Sequence, residues 1–391
     1  MQLSQRACGV RPSATLKTGQ QAAQLRAQGV DVINLSVGQP DYPTPAAIRE
    51  AAVTAIRANQ VNSYTATAGT PALREAIVQR LKESQRVDVT AEQVVVTTGA
   101  KMALYALFQT LLDPGDEVLL PAPYWVSYAE QVKLAGGRPV EVAPTATLKV
   151  TPEQLSVAVT AATKAIVLNS PQNPSGLVYT AAELQAIGKW AVAHDLIIIA
   201  DEIYGELVYD GPVPVPSMLT LGDEIAAHTI LVNGVSKTYA MTGWRIGYAV
   251  GPVNVMTALK NGLSHMTGNA AAVSQAAAVA ALTGDQAPVA KMKEGFKQRL
   301  DVVYPLLAAV PGFKLTTKPQ GAFYLFPDVT AAMAMKGYTT TDDFVAALLN
   351  DAHIAVVTGE AFGLPGHIRL SYATDLDTLK TALQRLKSFM E

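Results

Sequence analysis

Charge is scarce in this chain. Only 16% of its 391 residues are Asp, Glu, Lys or Arg, and the formal net charge is −2. With a pI of about 6.2, there is no basic field to draw in nucleic acid. Cysteine is nearly absent. Cys8 stands alone, which excludes an intrachain disulfide framework and any cysteine-based metal site. Long apolar runs are missing too. The most apolar stretches, such as "LIIIA" at 196–200, are far too short to span a bilayer. The opening "MQLSQRACGVRPSATLK" lacks the apolar stretch of a signal peptide. These absences predict a soluble, cytoplasmic protein with neither a membrane nor a nucleic acid as partner. What is present is apolar. Hydrophobic residues make up 49% of the chain, enough for a large core, and the length favours two domains.

From about Gln93 a regular pattern sets in. "QVVVTTG", "VLLP", "RPVEV", "KAIVLNS", "DLIIIADE" and "TILVNG" are short apolar runs of strand length. Most are separated by stretches of helical length, such as "AKMALYALFQTLL" and "AAELQAIGKWAVAH". Continuous apolar strands alternating with helices predict a mostly parallel sheet covered on both faces, a three-layer α/β/α domain. The C-terminal part differs. "HIAVV" and "HIRLSYA" read as strands, and "LDTLKTALQRLKSFM" puts Leu376, Leu379, Leu383 and Leu386 on one helical stripe, with "TDLD" as a capping box at its start. This predicts a smaller α+β unit. The N-terminal segment shows little pattern and is expected to carry little structure and to pack against that unit.

In such sheets ligands bind beyond the carboxyl ends of the strands, so the residues standing there carry the chemistry. After "VVVTT" come Gly99, Ala100 and Lys101, opening a helix. A helix start offers unpaired N–H groups to a phosphate, although an ordinary strand-to-helix turn reads the same way. Neither G-x-G-x-x-G nor a P-loop is present there. After "LIIIA" comes Asp201, a helix cap or a partner for a cationic ligand. "PQNPSG" holds Asn173 in a rigid turn, or in a plain loop. After "TILVNG" come Ser236 and Lys237, then Arg245. A lysine at a strand end is usually a solvated surface residue; a desolvated one has a lowered pKa and becomes a nucleophilic amine. Arg245 offers a rigid fork suited to a phosphate. Taken together, a helix start, an acid, an Asn, a Lys and an Arg, each just after a strand, describe a ligand with a phosphate, an aldehyde and a protonated ring nitrogen. That ligand is pyridoxal 5′-phosphate.

With these residues in place the sequence resembles the fold-type I, class I aminotransferases nearly end to end. The resemblance rests on "SKTYAMTGWRIGYAVG", "NSPQNPSG", "DEIYGEL", "PYWVSY", "YTATAGTPALREAI" and "GHIRLSYA". "RPSAT", "GAK" and "PYWVSY" are most similar to the bacterial aspartate aminotransferase branch. The resemblance implies a large cofactor domain at 43–286 and a discontinuous small domain from 1–42 and 287–391. It implies that Lys237 is the Schiff-base lysine and the acid/base for the proton at the substrate Cα. Asp201 would hold the pyridine nitrogen protonated, and Tyr204 and Asn173 would bond its phenolic oxygen. Trp125 would stack on the ring, though a core tryptophan would look alike. Ala100, Lys101, Ser236 and Arg245 would form the phosphate cup, joined by Tyr64 of a neighbouring subunit in a homodimer with shared active sites. Arg369 would fork onto the substrate α-carboxylate, with Gly38 beside it. Lys101, with the hydroxyls of Ser13 and Thr15, would meet a second carboxylate, since no arginine occurs between Arg245 and Arg299. Gly234 stands where other branches place a serine near the phosphate, and Arg11 where some relatives that accept prephenate carry lysine.

The expected reaction is transamination by a ping-pong route, with L-aspartate as donor and 2-oxoglutarate as acceptor. Rival readings are an aromatic, alanine or broad-range aminotransferase or a carbon–sulfur lyase on the same scaffold. A non-catalytic regulator is disfavoured, because the match begins within the first dozen residues and no basic segment accompanies it. A plain nucleotide-binding α/β protein is disfavoured by the missing glycine fingerprint.

Overall fold

The computed structural model describes residues 2–209, 211 and 215–391. Its centre is a seven-stranded sheet. From one edge the strands run Val94–Thr97, Gly247–Val250, Thr229–Gly234, Ile197–Asp201, Thr163–Asn169, Glu117–Pro121 and Arg138–Val142. Gly247–Val250 is antiparallel to both its neighbours; all other pairings are parallel. The apolar runs work on both faces because side chains alternate. Val118, Leu120, Val167, Ile199 and Val232 pack with the helix Ala100–Leu111 on one face. Leu119, Ile166, Leu168 and Ile198 meet the helix Ala181–Ala193 on the other. Each such leucine, isoleucine or valine removed from water contributes about 1.5–3 kcal/mol, which is why the strands read as unbroken hydrophobic runs. The architecture is the expected three-layer α/β/α sheet with a smaller α+β part.

The smaller part draws on both ends of the chain. Ile33–Asn34 pairs in parallel with Ile354–Ala355. Val357–Thr358, Ile368–Ser371 and Tyr324–Leu325 form an antiparallel sheet. The C-terminal helix Leu376–Met390 buries Leu379, Leu383 and Leu386 against Phe344, Leu348 and Ile354 in one core cluster. That cluster also takes in Ile203, Tyr204 and Leu207, which follow the strand Ile197–Asp201. The C-terminal end of the large sheet therefore abuts the smaller core directly.

Three local expectations are corrected. The N-terminal segment carries a 14-residue helix, Ala14–Ala27. It buries only Thr18 and Ala22, so it presents no apolar stripe to the eye. "HIAVV" is two strands in two different sheets, because the chain changes partner at Val356. The last helix has no capping box. Asp375 alone accepts from the Thr378 N–H at 2.8 Å, and a threonine at that third position cannot reach back as a Glu or Gln does.

Glycines set the spacing beneath the site. A Cβ on Gly247 would overlap the backbone nitrogen of Ala100 and the carbonyl carbon of Gly99. A Cβ on Gly234 would lie 2.7 Å from the Ile246 carbonyl oxygen and 2.9 Å from the Gly247 Cα. A serine at 234 would thus press into the neighbouring strand. Gly247→Ala is expected to lower unfolding stability by about 1–3 kcal/mol through overpacking. Gly262→Ala, within the helix Val253–Met266 where the added Cβ would meet only Met266 Cε at 3.6 Å, should instead raise it by about 0.5–1 kcal/mol. Denaturant midpoints with unchanged slopes check both.

Candidate active site

A cleft of about 320 Å³ opens where the strand ends meet the smaller core. Thirteen of the fourteen residues singled out from the sequence line it: Ser13, Thr15, Gly38, Ala100, Lys101, Trp125, Asn173, Asp201, Tyr204, Ser236, Lys237, Arg245 and Arg369. The fourteenth, Tyr64, lies outside this cleft and is 98% exposed. The lining also includes Asn169, Tyr128 and Tyr324, which sequence reasoning missed. Tyr128 ends the quoted "PYWVSY", three residues after Trp125, and that one-turn spacing was the only available signal.

Lys237 follows the strand Thr229–Gly234. Its Nζ donates to the Gly38 carbonyl at 2.6 Å and lies 5.9 Å from the centre of the Tyr204 ring. Burial, followed by the positive charges of Arg369 and Arg245, lowers its pKa to about 8. Asp201, 3% exposed, is the opposite case. Burial raises its carboxyl to about 6 against the pull of the Tyr128 hydroxyl, the Ile203 N–H and Lys237. The Tyr128 hydroxyl donates to Oδ2 at 2.6 Å, and the Ile203 N–H donates to Oδ1 at 3.1 Å.

A polar chain runs from this acid to Arg369. Asn169 Nδ2 donates to the Asp201 carbonyl at 2.8 Å, and Asn169 Oδ1 accepts from the Asn173 N–H at 2.8 Å. Asn173 Oδ1 then accepts from Arg369 Nη1 at 3.0 Å, while Arg369 Nη2 donates to the Ser36 carbonyl at 2.7 Å. Arg369 is 2% exposed and lies over the Tyr324 ring at 4.5 Å. Its Nε is buried with no hydrogen-bond partner. Tyr324 shares a 2.8 Å hydrogen bond with Tyr204, and a Cβ on Gly38 would lie 2.9 Å from its hydroxyl oxygen.

The other wall is the start of the helix Ala100–Leu111. Its first N–H groups have no partner within the helix. Gly99 enters it at φ 81°, and a Cβ there would overlap the Arg245 guanidinium. Arg245 Nη1 donates to the Thr242 carbonyl at 2.8 Å, which lays the fork across that helix start. Lys101 Nζ stands 4.9 Å from the Trp125 ring centre. Burial and the neighbouring Arg245 lower its pKa. The hydroxyls of Ser13 and Thr15 hydrogen-bond each other at 2.9 Å.

Lys101, Lys237, Arg245 and Arg369 thus face a cleft whose lining holds a single carboxylate, Asp201. Such an excess favours a ligand with several negative charges. The set also fits pyridoxal phosphate in particular. A helix start kept clear by a glycine under Arg245 suits the phosphate, a lysine with a lowered pKa suits the aldehyde, and a buried acid short of cationic partners suits a protonated ring nitrogen.

A model of the family described as aminotransferase class I and II matches residues 30–386. The chain is 50% identical to an aspartate aminotransferase of Geobacillus stearothermophilus, covering 100% of this chain and 99% of the relative. It is 49% identical, with the same coverage, to an asparagine–oxo-acid transaminase of Streptococcus mutans. In structure it is similar to the aspartate aminotransferase of Rhizobium meliloti, with a TM-score of 0.95 at 38% identity over 100% of this chain and 99% of that one. It is also similar to a Thermus thermophilus aspartate aminotransferase with maleate, at TM-score 0.93 and 40% identity over 99% of both.

The charges around Lys237 make a direct prediction for the cofactor-free protein. Amine-selective labelling of Lys237, followed by peptide mass spectrometry across pH, should reach half its maximal rate near pH 8. Arg369→Gln removes a cation that disfavours the ammonium, so the midpoint should move upward. A wild-type midpoint near that of a free lysine would contradict the geometry.

Proposed function

The chain belongs to the class I and II aminotransferases, and on that footing we propose that its cleft moves the amino group of L-aspartate to 2-oxoglutarate, with pyridoxal 5′-phosphate as carrier. The observation that carries the reading is the charge of the lining, four cations against one carboxylate. That suits a phosphate together with a dicarboxylic substrate. When bound, the cofactor supplies an aldehyde that captures the amine and a protonated ring that accepts the electron pair from the breaking Cα–H bond.

The remaining work falls to the chain. Ala100 and Lys101 offer backbone N–H groups, and Ser236 and Arg245 side chains, to the phosphate. Asp201 keeps the ring nitrogen protonated. Tyr204 and Asn173 would hold the phenolic oxygen; Asn173 Oδ1 is engaged by Arg369, so its amide N–H groups are the donors left for that task. Trp125, in the same lining, would stack on the ring. Arg369 holds the α-carboxylate with its fork, next to Gly38, and its unpartnered Nε is the kind of buried donor that such a carboxylate satisfies. Holding that group at two points fixes which bond at Cα is presented for cleavage. Lys237, whose pKa of about 8 leaves an appreciable neutral fraction near neutrality, takes the Cα proton and returns it. Lys101, Ser13 and Thr15 face the second carboxylate. The same residues serve both halves of a ping-pong cycle.

The reading also divides the chain into a large unit at 43–286 and a small one from 1–42 and 287–391. It pairs two copies so that Tyr64 reaches the phosphate of the other; its 98% exposure suits a residue whose partner is another chain. The protein would act in the cytoplasm, and no helix among the described residues is long and apolar enough to cross a membrane.

Three measurements test this. Lys237→Ala should lower kcat for oxaloacetate formation about 1,000-fold or more, and hydride reduction of the holoenzyme should leave the cofactor tag on Lys237. Lys101→Ala should reduce kcat/KM for aspartate by about 10–100-fold, the worth of a charge-assisted contact, while leaving phenylalanine within about threefold. An unchanged aspartate-to-phenylalanine ratio would sink the acidic-substrate assignment. Asparagine belongs in the same assay, because one relative is named for it.

A further inference from the structure

Tyr128 has no part in the roles above, yet it is bonded to the one acid of the cleft. It lies in the helix Ser127–Leu134 and is 1% exposed. Its ring meets Trp125 edge to face, with centroids 5.5 Å apart, and it packs in the cluster that holds Val167 and Ile199 from the sheet. This packing aims its hydroxyl at Asp201 Oδ2, 2.6 Å away. The Ile203 N–H holds Oδ1. Each carboxylate oxygen thus has one donor from the protein, and each keeps acceptor capacity for a ligand.

We propose that Tyr128 is a positioning residue for the transamination: its hydroxyl holds the Asp201 carboxylate in one orientation and in its ionised form, ready for the cofactor's ring nitrogen. The proposal rests on the functional reading above and extends it to a residue of the cleft lining to which that reading gives no contact with substrate or cofactor. A hydroxyl that donates to a carboxylate favours the anion, whereas burial favours the neutral acid. The other groups facing Asp201 are Lys237, which favours the anion, and Glu202 and Tyr204, which interact with it unfavourably. Lys237 helps only while it is charged. When its amine is neutral, the hydrogen bonds from Tyr128 and Ile203 are what still oppose the burial.

The test compares wild type with Tyr128→Phe, which removes the hydroxyl and keeps the ring. Pyridoxal phosphate is titrated into the cofactor-free proteins across pH, and kcat and KM are measured on the holoenzymes. Tyr128→Phe should bind the cofactor about tenfold more weakly at neutral pH, and its loss of affinity toward acid should begin at higher pH. The kcat should fall by a similar factor, with KM for aspartate within about twofold. The decisive control is the cofactor analogue with CH in place of the ring nitrogen, which wild type and Tyr128→Phe should bind equally. Equal loss of affinity for cofactor and analogue, or a wild-type pH profile in the variant, overturns the proposal and leaves Tyr128 a packing residue. If wild type itself fails to bind pyridoxal phosphate, the failure lies instead with the functional reading.

Discussion

The Asp201 carboxylate is the constraint around which the cleft is arranged. It stands at the end of a central parallel strand, almost wholly removed from water, where an isolated charge is costly. The surroundings answer in two directions. Side-chain and backbone donors meet its oxygens, and the backbone carbonyl of the same residue anchors Asn169, which orients Asn173, which in turn accepts from Arg369. Asp201 and Arg369, to which the proposed reading gives the cofactor ring and the substrate carboxylate, are thereby linked by one chain of hydrogen bonds.

Lys237 and Arg245 lie on opposite sides of the same problem. Both follow the strand Thr229–Gly234, and both face the cleft. They are too alike in charge to stabilise each other; burial first, then the charges of Arg369 and Arg245, weaken the hold of Lys237 on its proton. A chain with so few charges thus concentrates four cations where one acid stands. Binding of an anionic ligand offsets the cost of gathering like charges, so the imbalance favours the loaded protein. The glycines belong to this arrangement. Gly99 leaves room for the Arg245 fork, and Gly247 lets its strand lie against the helix start. At Gly234 a serine side chain would be spent on the neighbouring strand rather than on the phosphate, and 234 is not among the cleft residues.

The alternation of unbroken apolar runs with helices was enough to anticipate the sheet and its layers, because a strand buried on both faces has no polar side to show. The chemistry-bearing residues were legible for a related reason. Asp201, Ser236, Lys237 and Arg245 follow strands at the sheet's carboxyl end, where topology brings ligands. The N-terminal helix was not legible. Ala14–Ala27 is Ala- and Gln-rich with Gly19 in its middle, and its sparse contact with the core leaves no stripe. Tyr324 was not legible either, since nothing local in "GAFYLF" marks one aromatic among buried neighbours as the one whose hydroxyl reaches Tyr204.

The sequence by itself determined the layered sheet, the residue types at the strand ends and the kind of ligand they suit, because strand periodicity and side-chain chemistry are properties of short segments. Tertiary structure alone decided the rest. It set Arg369 against Asn173, 196 residues away in the chain, and the Gly38 carbonyl against Lys237, 199 residues away. It also turned the tyrosine three residues after Trp125 toward Asp201. Hydrogen bonds depend on fractions of an ångström and on the directions of groups far apart in sequence, and only the packed chain sets those.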